Sequence, residues 1–84
     1  MYYFTYVLRS QKDGKLYTGY TRRLKERLAE HNGGLSPSTK DRGPFELIYF
    51  EACLSEQAAI KREVYLKSGY GKRYLKHRLG APYF

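Results

Sequence analysis

Eighty-four residues can wrap one hydrophobic core and little else. A chain this short buries only roughly 60–65% of the surface that its unfolded form exposes. The core is therefore thin, and each buried aromatic counts. Ten tyrosines supply much of the apolar surface, and each brings a hydroxyl that needs a partner. Elements in such a chain must be few and short, and the sequence marks them out. Residues 3–9 are β-branched and aromatic, which predicts a strand with Phe4, Tyr6 and Leu8 on one face. A polar turn over residues 11–14 ends in Asp13-Gly14, and residues 15–19 form a second short strand, so the chain opens on a β-hairpin.

Thr21 is placed to cap a helix running to about His31, with a narrow apolar stripe of Leu24 and Leu28. Residues 32–44 hold three glycines, two prolines, two serines and a threonine. A loop of that length in so small a domain is usually either functional or disordered, and this one bears Lys40 and Arg42, which suits contact with phosphate. A third strand covers residues 45–51. Ser55 caps a second helix to about Ser68, and a basic third helix spans roughly residues 72–79 with Leu75 and Leu79 turned inward. The expected architecture is one α+β domain over residues 1–84: a small three-stranded antiparallel sheet flanked by helices, in the order ββαβαα.

Charge narrows the partners. Sixteen Lys and Arg against eight Asp and Glu give a formal charge of +8. Self-repulsion at that density opposes compaction, and solubility alone needs far less. Contact with polyanion phosphates is the usual reason for such an excess. Cys53 is the single cysteine, too few for an internal disulfide or a zinc cluster. No apolar stretch is long enough to span a bilayer, and residues 2–8 alternate like a strand with no basic segment before them. The cytoplasm is the expected compartment.

Three features fit poorly with structure alone. On the second helix, with Ile60 as origin, Val64 lies about 40° to one side and Glu63 about 60° to the other, so a carboxylate falls within the apolar stripe. An acid there needs a partner: Lys67 one turn on, an arginine of another element, or a metal ion. On the first helix Arg27 and His31 share a face. Either they serve an anion, or Arg27 is tied to Glu26 or Glu30 at a solvated edge. Tyr6 and Tyr17 lie on adjacent strands, where cross-strand packing would account for each taken alone.

Taken in order, these residues form one pattern. Phe4-Thr5-Tyr6, then Tyr17-Thr18-Gly19, then Arg27 and His31 within Leu24-Lys25-Glu26-Arg27-Leu28-Ala29-Glu30-His31-Asn32, and Glu63 within Lys61-Arg62-Glu63-Val64-Tyr65-Leu66-Lys67 resemble the GIY-YIG nuclease superfamily over nearly the whole chain. The likeness is to its small stand-alone bacterial members, similar to the nuclease domain of the excinuclease C subunit. It implies that Tyr6 and Tyr17 are the motif tyrosines, that Gly19 lets backbone lie close to the site, and that Arg27 contacts the scissile phosphate. His31 falls where the family has histidine or tyrosine. Glu63 would be the ligand of a single Mg²⁺ or Mn²⁺. Phe4 stands where the first motif has glycine, Tyr20 where some relatives have lysine, and no asparagine follows Glu63 where several active members carry one.

The function so implied is metal-dependent hydrolysis of DNA phosphodiester bonds, directed by structure rather than by base sequence. Tyr17 is the favoured general base or water-orienting group, supported by Tyr6, with His31 as the alternative. Lys40, Arg42, Lys61, Lys67, Lys72, Arg73, Lys76 and Arg78 are the expected sequence-independent backbone contacts. The competing reading is a nucleic-acid-binding module that keeps the fold without the chemistry.

Overall fold

The computed structural model describes residues 1–36 and 39–84. Three strands form one antiparallel sheet in the order β2-β1-β3: β1 is Tyr3–Ser10, β2 Leu16–Thr21 and β3 Phe45–Cys53. Between β2 and β3 lies α1 (Leu24–Asn32); α2 (Glu56–Lys67) and α3 (Gly69–Leu79) follow β3. The order is the expected ββαβαα. The hairpin turn closes through Ser10, whose carbonyl accepts from the Gly14 amide at 2.8 Å. Its hydroxyl accepts from the Lys12 amide at 3.1 Å. Gly14 has φ of 73°, a conformation glycine adopts without Cβ strain.

Both faces of β1 are buried, because α1 covers one side of the sheet and α2 and α3 cover the other. Tyr6 and Leu8 pack with Phe45, Tyr17, Leu24, Leu28 and Leu47 on the α1 side. Val7 packs with Leu66 and Leu75 on the α2–α3 side, with Leu16, Ile48, Tyr49, Tyr74 and Leu79 around them. A polar cluster fastens that second side. Thr5 donates its hydroxyl proton to the Ala59 carbonyl at 3.0 Å. Arg62 Nε lies 3.0 Å from both Glu51 carboxylate oxygens, and its guanidinium sits over the Tyr65 and Tyr74 rings.

Three local expectations shift. Thr21 ends β2 instead of capping α1. Its hydroxyl accepts from the Arg23 amide at 3.0 Å, and the helix starts at Leu24 with no side-chain cap on it. The third helix begins at Gly69, not near Lys72. Ser68 starts it, accepting from the Gly71 amide at 3.2 Å. Gly71 is there because α3 crosses α2 so closely that a methyl at 71 would run into the Tyr65 carbonyl and the Leu66 backbone. On α2 the buried positions are Ala59 and Leu66, while Val64 is 65% exposed. The apolar stripe is thus rotated away from Val64, and Glu63 lies at its edge.

Candidate functional site

The site grows from the pairing of β1 with β2. Their register sets Tyr6 opposite Gly19 and Leu8 opposite Tyr17, so both tyrosines and the glycine share the α1 face. The Tyr6 ring lies across Gly19: a Cβ at 19 would come within 2.6 Å of its hydroxyl oxygen. Glycine is therefore what lets that phenol pass over the strand. The hydroxyl ends 3.0 Å from His31 Nε2. On the far side of the imidazole, Nδ1 lies 2.6 Å from the Thr39 hydroxyl. Tyr6 and His31 are each 1% exposed and Thr39 is 0% exposed, so the chain of three is sealed from solvent. The Tyr17 ring packs 4.9 Å from the His31 ring and 6.4 Å from that of Tyr6. Phe45 closes the edge, 6.2 Å from His31.

Electrostatics follows from this burial. Desolvation pushes the Tyr6 phenol above its ordinary value, while hydrogen bonding from the Arg27 guanidinium pulls the other way and the Glu63 carboxylate adds to the rise. Tyr17, Arg27 and Glu63 therefore all lie within electrostatic reach of Tyr6. His31 is lowered, first by burial and then by the Arg27 charge, which keeps its ring neutral at pH 7. Arg27 is held protonated chiefly by its bond to Glu30 and then by Tyr6. Its Nη1 lies 2.9 Å from Glu30 Oε1.

Glu63 reaches the same region from α2. Its carboxylate meets Lys67 Nζ at 2.8 Å, with 18% of the Glu63 side chain exposed against 55% for Lys67. The pairing one turn along the helix is thus present, as is that of Arg27 with Glu30. Among the described residues no three His, Cys, Asp or Glu converge on one point. A single carboxylate paired with a lysine does not suit zinc, which takes three or four protein ligands. It does suit one hard cation of the magnesium type, which keeps most of its waters and uses one or two carboxylates.

Tyr17 and Lys67 open onto a cavity of about 390 Å³, lined also by Leu16, Thr18, Arg42, Leu66 and Lys72. Leu16, Arg42 and Lys72 also line a second cavity of about 800 Å³, with Asp13, Gly14, Lys15 and Phe84. The two make a groove that runs from Tyr17 past four cationic side chains. Of the expected phosphate contacts, Arg42, Lys67 and Lys72 line it. Lys40, Lys61, Arg73, Lys76 and Arg78 are exposed outside it, with Arg73 stacked over Tyr70. Lys15, Phe84 and Thr39 were not picked out by the sequence. Lys15 and Phe84 join the groove only because the hairpin turn and the aromatic end of the chain meet Lys72. Thr39 carries no motif, and only its bond to His31 marks it.

Comparison with known proteins identifies the family. Residues 2–76 match the GIY-YIG catalytic domain, a nuclease-type family. A UPF0213 protein of Clostridium perfringens is 42% identical over 65 residues, covering 76% of this chain and 69% of its own length. One from Staphylococcus epidermidis is 37% identical over 75 residues, covering 88% of this chain and 90% of its own. The solution structure of a UPF0213 protein from Bacillus halodurans superposes with a TM-score of 0.59 at 35% identity, covering 99% of this chain and 90% of that one. No helix among the described residues is long and apolar enough to cross a membrane. With the family's domain matched from Tyr2 to Lys76, the chain belongs to the GIY-YIG family.

Proposed function

We propose that this protein is an endonuclease that hydrolyses DNA phosphodiester bonds with one divalent metal ion, and that it selects its substrate by shape and backbone rather than by base sequence. The observation that carries the reading is the packing of Tyr6, Tyr17 and His31 together, with Arg27 within electrostatic reach of both tyrosines, beside a groove lined by Lys15, Arg42, Lys67 and Lys72. Glu63 stands one helical turn from Lys67, which lines that groove.

Arg27 has a planar fork of donors suited to two phosphoryl oxygens at once, which a lysine could not match. It would stabilise the charge that develops there. Tyr17 is half-exposed at the cavity and is the group placed to orient or deprotonate the attacking water. His31 is a weaker candidate for that task, because it is buried and both its ring nitrogens already have partners. Glu63 would hold a magnesium or manganese ion, whose contribution when bound is to polarise a phosphoryl oxygen and ease departure of the leaving group. The groove cations follow the backbone on either side of the scissile bond.

The alternative is a nucleic-acid-binding module without turnover. The two ion pairs favour it, because Arg27 is engaged by Glu30 and Glu63 by Lys67. Nicking of plasmid and branched DNA in Mg²⁺ or Mn²⁺, run beside Glu63→Ala, separates the two. Cleavage by the wild type that the variant lacks supports the enzyme. Binding without cleavage by either protein supports the module.

A further inference from the structure

Phe4 stands where the family's first motif has glycine, and its side chain walls a cavity that takes no part in the hydrolysis proposed above. We propose that this cavity receives an unpaired base of the DNA strand, next to the phosphate that Arg27 holds, so that the preferred substrate carries an unpaired nucleotide beside the scissile bond. The proposal rests on the reading of Arg27 as the phosphate contact.

The cavity encloses about 490 Å³. Its floor is Phe4, Leu24, Leu28 and Leu47, all half-buried. Its rim is Arg22, Arg23, Lys25 and Glu26. Phe4 lies on β1 two residues before Tyr6, opposite Thr21 of β2 and Ala52 of β3. The three leucines belong to the core around Tyr6 and Leu8, so the floor is an edge of that core left open beside the first turn of α1. Phe50 meets the Phe4 ring at 6.0 Å and a tilt of 60°, an angle at which the two rings do not stack on each other. An aromatic ring among leucines takes the face of a base, whichever base it is.

A neighbouring cavity of about 270 Å³ holds Arg27 with Thr21, Arg23, Glu26 and Glu30. The two cavities share Arg23 and Glu26, which pair with each other at 3.2 Å. Arg23 and Arg27 are one helical turn apart, about 6 Å along α1. A group in the apolar cavity is thus next to a group held by Arg27. The rim fits a strand as well. Arg22 and Lys25 are exposed and form no ion pair among the described residues, so phosphates flanking an inserted base meet cations there. A base inside a duplex is stacked and paired, and taking it out costs least where it has no partner. The cavity therefore favours an unpaired nucleotide. An apolar peptide with acidic residues would match floor and rim, but it brings no phosphate to Arg27.

The test compares two short, dye-labelled DNA duplexes in anisotropy titrations with the full chain, without metal. One carries a single unpaired adenine and the other an abasic residue at that position. The expected result is about tenfold tighter binding of the adenine duplex. In Phe4→Leu, which keeps an apolar wall and loses the ring, the two duplexes bind nearly alike. The methyl resonances of Leu24 and Leu47 in the labelled chain shift with the adenine duplex and far less with the abasic one. Equal wild-type affinities overturn the proposal and make an apolar, acidic peptide the better occupant. A preference for adenine without those methyl shifts overturns it too, since the base then sits elsewhere. Should Phe4→Leu not fold, the wild-type affinities and methyl shifts decide. Cleavage of plasmid DNA with equal affinities removes the base pocket and leaves the endonuclease, whereas base-dependent binding without cleavage does the reverse.

Discussion

A methyl group at position 19 has nowhere to go. It would meet the Tyr6 hydroxyl at 2.6 Å and the ring carbon bearing it at 2.8 Å. Gly19→Ala should therefore cost about 1–3 kcal/mol of stability, the usual range for forced overpacking. Tyr6→Phe removes the nearer of those two contacts. The double variant should then lose less than the sum of the single variants, by about 0.5 kcal/mol or more. Urea unfolding of the four proteins measures this coupling, and strict additivity would mean that Gly19 is not shaped by Tyr6. His31 gives a second prediction at the same scale. Its folded pKa lies below the ordinary 6.5, so between those two values the unfolded chain binds a proton that the folded chain refuses. Stability is then fully present above about pH 6.5 and falls as pH drops through that window, by at most about 1.4 kcal/mol per pH unit. His31→Gln should flatten that slope in unfolding curves taken at pH 7.5, 6.5 and 5.5.

Elements show why some of this could be read from sequence and some could not. The strands carry their own signal, since alternation along residues 3–9 puts Tyr6 and Leu8 on one side whatever covers them. That the other side is buried too depends on α2 and α3 packing over Val7, which is a property of the tertiary fold rather than of the strand. Gly69 and Gly71 read locally as a break between two helices. They are instead the first turn of α3, because close approach of two helix backbones leaves no room for a Cβ at 71. Gly71→Ala should therefore cost about 3 kcal/mol or more, although alanine is the better helix former by about 1 kcal/mol. A stabilised variant in thermal unfolding would contradict the close crossing. Tyr6, Tyr17, Arg27 and Glu63 could be picked out because the short segments that hold them resemble the family's motifs. Thr39 could not, since a side-chain bond from the loop between α1 and β3 leaves no periodic trace.

At the scale of the whole molecule the +8 charge takes on a direction. Lys15 comes from the hairpin, Arg42 from the long loop, Lys67 from the end of α2 and Lys72 from α3. These four are far apart in sequence and meet along one groove. The loop is held against the hairpin there by the Ser10 hydroxyl, which donates to the Arg42 carbonyl at 2.6 Å, and by the Gln11 amide, which donates to the Pro44 carbonyl at 2.9 Å. The Arg42 guanidinium lies over the Phe45 ring and 4.0 Å from the Asp13 carboxylate, so part of its charge is already offset within the groove. Lys61 and Lys76 carry the same charge on exposed faces outside the groove. If a nucleic-acid strand follows the groove, each groove cation releases counterions on binding and each outlying one does not. Replacing Lys15 or Lys72 by alanine should then lower the slope of log affinity against log salt concentration by about 1. The same change at Lys61 or Lys76 should leave it nearly unchanged. Equal slopes for all four variants, in fluorescence anisotropy titrations between low and physiological salt, would mean that the charge acts as a diffuse field and that the groove is not the path of the strand.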